Sequence, residues 1–305
     1  MHTAMFKGCG TALITPFAAN GSLDESTLRR LVRRQVGDGV HFLVPGGTTG
    51  ESPTLTRAEH LRLVEVTLEE AAGRVPVVAG CGGYNTAGIV SLAADLQGLG
   101  ADGLLSVTPY YNKPTPEGLF RHYEALAGAT DLPIVVYNVP GRTCCNITPD
   151  LLCRLAGLPN IVAVKEASGD IGQMARVCQS VPAGFSVLSG DDSVTLPLMA
   201  LGGVGVISVV SNEIPGEMAG LCDLALDGDF AGARAVHRKY LSLMEANFCE
   251  TSPGPVKVAM EGMGLLDEAV YRLPMTRPSA ASCAIVDEVL ERLGLLRRAA
   301  EAATA

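Results

Sequence analysis

The sequence predicts an α/β fold, a closed (β/α)8 TIM barrel with a C-terminal helical extension. Three observations predict it. Eight short apolar and β-branched runs alternate with helical patterns, no Gly-rich dinucleotide fingerprint follows the first run, and the pattern after the eighth is wholly helical. The expected strands, in order, span 10–15, 41–44, 75–79, 103–107, 134–137, 161–165, 186–188 and 204–208. Amphipathic stretches at 24–36, 57–72 and 116–127 read as crossover helices, which makes the sheet parallel. A doubly wound sheet would carry a phosphate-binding Gly motif after strand one, where Thr15-Pro16-Phe17 stands instead. Beyond strand eight, helices are expected at 216–226, 230–247, 256–261 and 281–296. The chain accordingly divides into a barrel domain, 1–228, and an extension, 229–305, that begins near Asp229 and packs on the barrel or on another subunit. No low-complexity linker separates them; only the extreme C-terminus is Ala/Glu-biased.

A barrel takes about 250 residues, so 305 residues suit one such domain plus an appendix. Hydrophobic residues at 48% and charged residues at 18% supply a sizeable core and exclude a disordered chain. A net charge of -9 with no basic stripe argues against nucleic acid and for small-molecule chemistry. No signal-peptide pattern opens the chain at Met1-His2-Thr3 and no apolar run approaches a membrane span, so a cytoplasmic location is expected. Nine cysteines without a C-x-x-C pair fit reduced thiols, and the adjacent Cys144 and Cys145 read as two small buried thiols without a role. His2, His41, His60, His122 and His237 are dispersed and share no ligand spacing, so neither a metal aldolase nor a bound metal is expected. Gly202 and Gly203 precede strand eight, at the wrong barrel end for a phosphate loop, and read as a helix end.

Only five lysines occur, and four sit where lysines ordinarily sit: Lys7, Lys113, Lys239 and Lys257, the last in a helical pattern. Lys165 ends the apolar run Ile161-Val162-Ala163-Val164, and a lysine delivered by a buried strand is costly unless it does chemistry. Burial favours the free amine, the form that attacks a keto carbonyl. Pairing with Glu166 is the bland alternative, but adjacent strand residues face opposite sides of the sheet. Tyr137 ends the neighbouring strand and, linked through the Thr48 hydroxyl, suits the proton transfers of imine chemistry, although a core tyrosine looks the same in sequence. The Gly46-Gly47-Thr48-Thr49-Gly50 loop after strand two offers amides for a carboxylate, a weak signal by itself.

Six ordered strings extend the pattern over nearly the whole chain: Gly47-Thr48-Thr49-Gly50-Glu51, Val107-Thr108-Pro109-Tyr110-Tyr111, Tyr137-Asn138-Val139-Pro140-Gly141-Arg142-Thr143, Val164-Lys165-Glu166-Ala167-Ser168, Leu188-Ser189-Gly190-Asp191-Asp192 and Gly205-Val206-Ile207-Ser208. Together they resemble the dihydrodipicolinate synthase and N-acetylneuraminate lyase superfamily of pyruvate-dependent class I aldolases. That resemblance implies that Lys165 forms a Schiff base with pyruvate, that Tyr137 shuttles protons, and that Thr48 connects it to Tyr111 lent by a neighbouring subunit. It further implies that Thr48 and Thr49 bind the pyruvate carboxylate, that the Gly190 and Ile207 backbone lines the pocket, and that the chain forms an oligomer, expected to be a homotetramer built from dimers. No metal or organic cofactor is implied.

Arg142 matches the arginine with which the synthases of that superfamily grip the carboxylate of L-aspartate 4-semialdehyde; the neuraminate lyases lack it and read Gly-Ser-Thr-Gly in the strand-two loop. The expected reaction is therefore condensation of pyruvate with that semialdehyde, on the route to diaminopimelate and lysine. The alternatives are a 2-keto-3-deoxy sugar acid aldolase or dehydratase, a neuraminate lyase, or a non-catalytic pyruvate-binding protein. Ser252-Pro253-Gly254-Pro255-Val256-Lys257 resembles the family's Asn-Pro-x-Pro-Val-Lys with serine in place of asparagine. Ser52, His60 and Tyr110 match the site at which lysine-inhibited members bind lysine, but Pro53, Arg57, Tyr84 and Gly88 depart from it. Gly88 brings no carboxylate and Arg57 repels an ammonium, so lysine inhibition is expected to be weak or absent.

Overall fold

Every ladder in the sheet is parallel, and the strands, counted along the chain, are hydrogen-bonded in the order second, first, eighth, seventh, sixth, fifth, fourth, third. The computed structural model describes residues 6–297. Its elements run β1 (Gly8–Ala12), α1 (Glu25–Gly37), β2 (Phe42–Val44), α2 (Arg57–Ala71), β3 (Val78–Gly80), α3 (Thr86–Leu99), β4 (Gly103–Val107) and α4 (Pro116–Ala127). There follow β5 (Ile134–Asn138), α5 (Pro140–Thr143), α6 (Pro149–Leu155), β6 (Ile161–Glu166), α7 (Ile171–Ser180), β7 (Ser186–Ser189), α8 (Thr195–Ala200), β8 (Gly205–Ser208) and α9 (Pro215–Leu226). Three helices complete the described chain: α10 (Phe230–Ala246), α11 (Gly254–Gly262) and α12 (Ala280–Leu293). The two ends of the sheet meet between β2 and β3 through a Leu43–Val77 bridge, with Leu43 N donating to Pro76 O at 2.9 Å and Gly80 N to Pro45 O at 2.9 Å. The result is the (β/α)8 barrel that the alternation predicts.

Strand periodicity sorts the side chains. Val135, Ala163, Leu188 and Ile207 point into the barrel with Tyr137, while Val136, Val164 and Val187 face the surrounding helices. Lys165 shares the inward phase of Ala163, and the register places it opposite Tyr137. Several helix starts are capped by side chains: Asp24 accepts from Thr27 N, Thr56 forms a capping box with Glu59, and Asp229 accepts from Gly232 N. Helices α10, α11 and α12 share one apolar cluster with α9 and with Cys9 and Val206 of the barrel wall, so the extension is welded to the barrel by burial.

The strands differ from expectation by more than one residue at two places, and by a single residue at one end in β2, β5, β6, β7 and β8. β1 begins and ends earlier than 10–15: Gly8 and Gly10 lie where a side chain would strike His41 and Phe42, and past Ala12 one last bond, Leu13 N to Val44 O at 3.1 Å, ends the pairing while Leu13 and Ile14 pack in other apolar clusters. β3 is 78–80 rather than 75–79, since Gly80 approaches the Gly46 carbonyl too closely for any Cβ and so belongs in the ladder. The helix α5 at the mouth of β5 carried no pattern of its own. His2 and the Ala/Glu-biased end of the extension lie outside the described residues. Among those described, no three His, Cys, Asp or Glu side chains converge as a metal site, and no helix is long and apolar enough to cross a membrane.

Candidate active site

Lys165 is 4% exposed near the end of β6, and its Nζ stands 4.3 Å from the centroid of the Tyr137 ring on β5. Its pKa is lowered to about 8, chiefly by burial; the Asp192 carboxylate opposes the fall, the Arg142 guanidinium adds to it, and Asp191 opposes it to a smaller degree. Glu166 takes no part, as the strand phase requires: its Oε2 accepts from Asn138 Nδ2 at 3.0 Å and its Oε1 from Ser168 N at 2.8 Å. Asp192 is the carboxylate with the largest influence on the lysine, a relation the sequence reading missed. It is buried just after β7, where Oδ2 accepts from Val209 N at 3.0 Å and Val210 N at 2.9 Å. The signal available was its place in the Ser189-Gly190-Asp191-Asp192 string at the C-terminal end of a barrel strand.

Tyr137 is buried, which pushes its phenol up to about 12; Arg142 and the Thr48 hydroxyl temper the rise and Asp191 adds to it. The phenol is therefore protonated near neutrality and able to donate. Gly190 fits against the lysine stem: a Cβ there would stand 3.1 Å from Lys165 Cε and 2.6 Å from Ala167 Cβ. Ile207 is fully buried on β8 among the inward-facing residues.

The 46–51 loop enters with Gly46 at φ +67 and leaves with Glu51 at φ 52. Gly50 N donates to Gly47 O, Glu51 N to Thr48 O and Ser52 N to Gly47 O, at 3.1, 3.1 and 3.3 Å, and Thr15 Oγ1 donates to Gly50 O at 2.6 Å. Of the expected 46–50 amide cradle this turn uses the Gly50 amide, the other two amides lying just beyond it at Glu51 and Ser52. Thr48, Tyr137 and Arg142 line one cavity of about 170 Å³ with Gly47, Tyr110 and Val139. Tyr137 forms its wall, with Lys165 one ring away. Arg142 reaches the cavity from α5, held by a hydrogen bond from Nη2 to Ser252 O at 3.3 Å. Thr49 is buried beside Thr48. Tyr111 is not brought in: it is 90% exposed, at φ 70, away from the cavity of its own chain.

Three expectations need correction. Cys144 is exposed rather than buried, because it caps α5 in the left-handed conformation and turns outward; Cys145 is buried as expected. Lys257, read as ordinary, is fully buried and paired with Glu51, so two lysines rather than one ask for a special reason. Arg57 is not a free repelling charge, since its Nη2 lies 2.6 Å from Asp95 Oδ2. Ser52, Pro53, Arg57, His60 and Tyr110 do line one second cavity, of about 160 Å³.

A parallel barrel carrying a buried, easily deprotonated lysine beside a protonated phenol at the C-terminal ends of adjacent strands has the groups that a lyase of the class I aldolase type requires. Residues 5–292 match the model of the dihydrodipicolinate synthetase family, and the chain belongs to that family. It is 49% identical over 294 residues to 4-hydroxy-tetrahydrodipicolinate synthase of Koribacter versatilis, covering 96% of this chain and 98% of that one. It is 50% identical over 292 residues to the enzyme of the same name from Acidobacterium capsulatum, covering 95% and 96%. The crystal structure of dihydrodipicolinate synthase from Thermotoga maritima superposes with a TM-score of 0.93 at 47% identity, covering 96% of this chain and all of that one.

Proposed function

We propose that the protein condenses pyruvate with L-aspartate 4-semialdehyde to give 4-hydroxy-tetrahydrodipicolinate, the step that commits carbon to diaminopimelate and lysine. Membership of the family and the names of its near relatives support this reading. The single observation that carries the chemistry is the Lys165–Tyr137 pair inside the barrel. The Lys165 amine attacks C2 of pyruvate, and the carbinolamine loses water to an imine whose positive nitrogen acidifies the C3 protons. Loss of one gives an enamine, whose C3 adds to the aldehyde carbon of the second substrate while the aldehyde oxygen takes a proton. The amino group of that substrate then attacks C2, closes the ring and returns Lys165 as the free amine.

In this account Tyr137 supplies and removes the protons at the carbinolamine oxygen and the enamine carbon, with Thr48 as its relay. Thr48 and Thr49 hold the pyruvate carboxylate, and Arg142 holds that of the semialdehyde as a fixed, permanently charged fork. Gly190 and Ile207 shape the wall on either side of the imine. The imine nitrogen is the electron sink, so the sequence of steps calls on no metal or organic cofactor. Tyr111, exposed in one chain, reaches Thr48 of a neighbouring subunit in a homotetramer built from dimers. The barrel, 1–228, carries the chemistry and residues 229–305 form an appended helical region, in a cytoplasmic enzyme that acts without nucleic acid or membrane.

The experiment is pyruvate-dependent turnover of L-aspartate 4-semialdehyde, coupled to a reductase that consumes the product with a reduced nicotinamide. Turnover that saturates in both substrates is expected. Absence of turnover by protein that still traps pyruvate would reject the semialdehyde as substrate.

A further inference from the structure

Lys257 is less exposed than Lys165, at 0% against 4%, and touches no part of the cavity. A buried ammonium is costly unless it is paired and fully hydrogen-bonded. Its Nζ donates to the Glu51 carboxylate and to Val270 O at 2.9 Å, and lies 4.5 Å from the centroid of the Phe17 ring. The other carboxylate oxygen of Glu51 accepts from Arg272 N at 3.5 Å, so the extension holds both. Glu51 ends the loop that carries Thr48 and Thr49, and its amide closes that loop on Thr48 O. Glu51 also sits at φ 52, a left-handed backbone that a residue with a side chain keeps only when its surroundings over-determine it. Five residues before Lys257, Ser252 O receives the Arg142 guanidinium. One short stretch of the extension thus touches the supports of both substrate-binding elements.

We infer that Lys257 is a positioning residue: through Glu51 it sets the 46–51 loop so that Thr48 and Thr49 meet the carboxylate of the keto acid. The inference rests on the reading of those threonines given above. It makes residues 252–257 a brace from the extension to the site, with Lys257 serving the pyruvate side and Ser252 the Arg142 side.

The test is Lys257→Met in the full chain, with steady-state kinetics in both substrates and borohydride trapping of pyruvate beside the unaltered protein. The expected result is a pyruvate KM raised about tenfold or more while the semialdehyde KM stays within about twofold, because a displaced loop misplaces one substrate only. A purely structural lysine would lower kcat with the active fraction and leave both KM values alone, and that result overturns the inference. Should Lys257→Met fail to fold cooperatively, Glu51→Gln decides, since it keeps the size of the side chain and removes the charge. A raised pyruvate KM supports the positioning role, and an unchanged one ends it. Failure of the unaltered protein to trap pyruvate would overturn the functional reading itself, a result distinct from equal trapping by protein and variant.

Discussion

At Lys165 the decisive quantity is the fraction of free amine. With a pKa of about 8, about a tenth of the lysine is unprotonated at pH 7, and the fraction rises as pH passes through 8. Trapping of pyruvate should therefore accelerate from pH 7 to 9 and level off above. Arg142 lowers that pKa and Asp192 raises it, so Arg142→Ala should move the rise to higher pH and Asp192→Asn to lower pH, both measurable as the midpoint of the trapping rate. A midpoint that neither substitution moves would remove these charges from the account. Tyr137→Phe should keep the fold and lose about 100-fold or more in kcat, the scale of a lost general acid–base, in the coupled assay. Lys165 was legible in sequence because an apolar run ending in lysine is rare and costly. Lys257 was not, because its helical pattern hides that all sides of α11 are buried, including the one bearing the lysine.

The elements that matter most are the strand ends and the two loops they launch. Periodicity of two in β5 and β6 sufficed to put Tyr137 and Lys165 on one face and Glu166 on the other. Loop detail was beyond it: which amides the 46–51 turn consumes depends on Gly46 and Glu51 taking left-handed backbone, and only the glycine hinted at that. Gly80 on β3 tests the link between strand and loop, since a Cβ there collides with the Gly46 carbonyl. Gly80→Ala should displace the loop, cost about 1–3 kcal/mol in unfolding free energy as overpacking does, and raise the pyruvate KM. Chemical denaturation and steady-state kinetics check the two halves; wild-type values in both would show that the loop yields without consequence. The early start of β1 has a like origin, the close approach of Gly8 to the His41 ring, which no local pattern encodes.

For the whole molecule, the barrel was legible because eight alternations leave few topologies, and the parallel ladders follow from the crossover helices. The role of the extension was not, because it acts through contacts more than 100 residues distant in sequence, Arg142 with Ser252 and Glu51 with Lys257. The proposed homotetramer would add a further long-range dependence. Tyr111 is 90% exposed in one chain, which suits a side chain given to a neighbour. If each dimer exchanges Tyr111, co-expressed Tyr111→Phe and Lys165→Ala subunits should recover about a quarter of the unaltered activity, since half of random dimers are mixed and each of those holds one intact site. No recovery above the two separate variants would place Tyr111 outside the site.

The central claim is that Lys165 forms an imine with pyruvate. Incubation with pyruvate and borohydride, followed by peptide mapping, tests it most directly, because reduction fixes the imine as a stable secondary amine. The account predicts one reduced pyruvyl adduct on the peptide bearing Lys165, dependent on both reagents, and none on that bearing Lys257. An unmodified Lys165 peptide, or an adduct on another lysine, would contradict it.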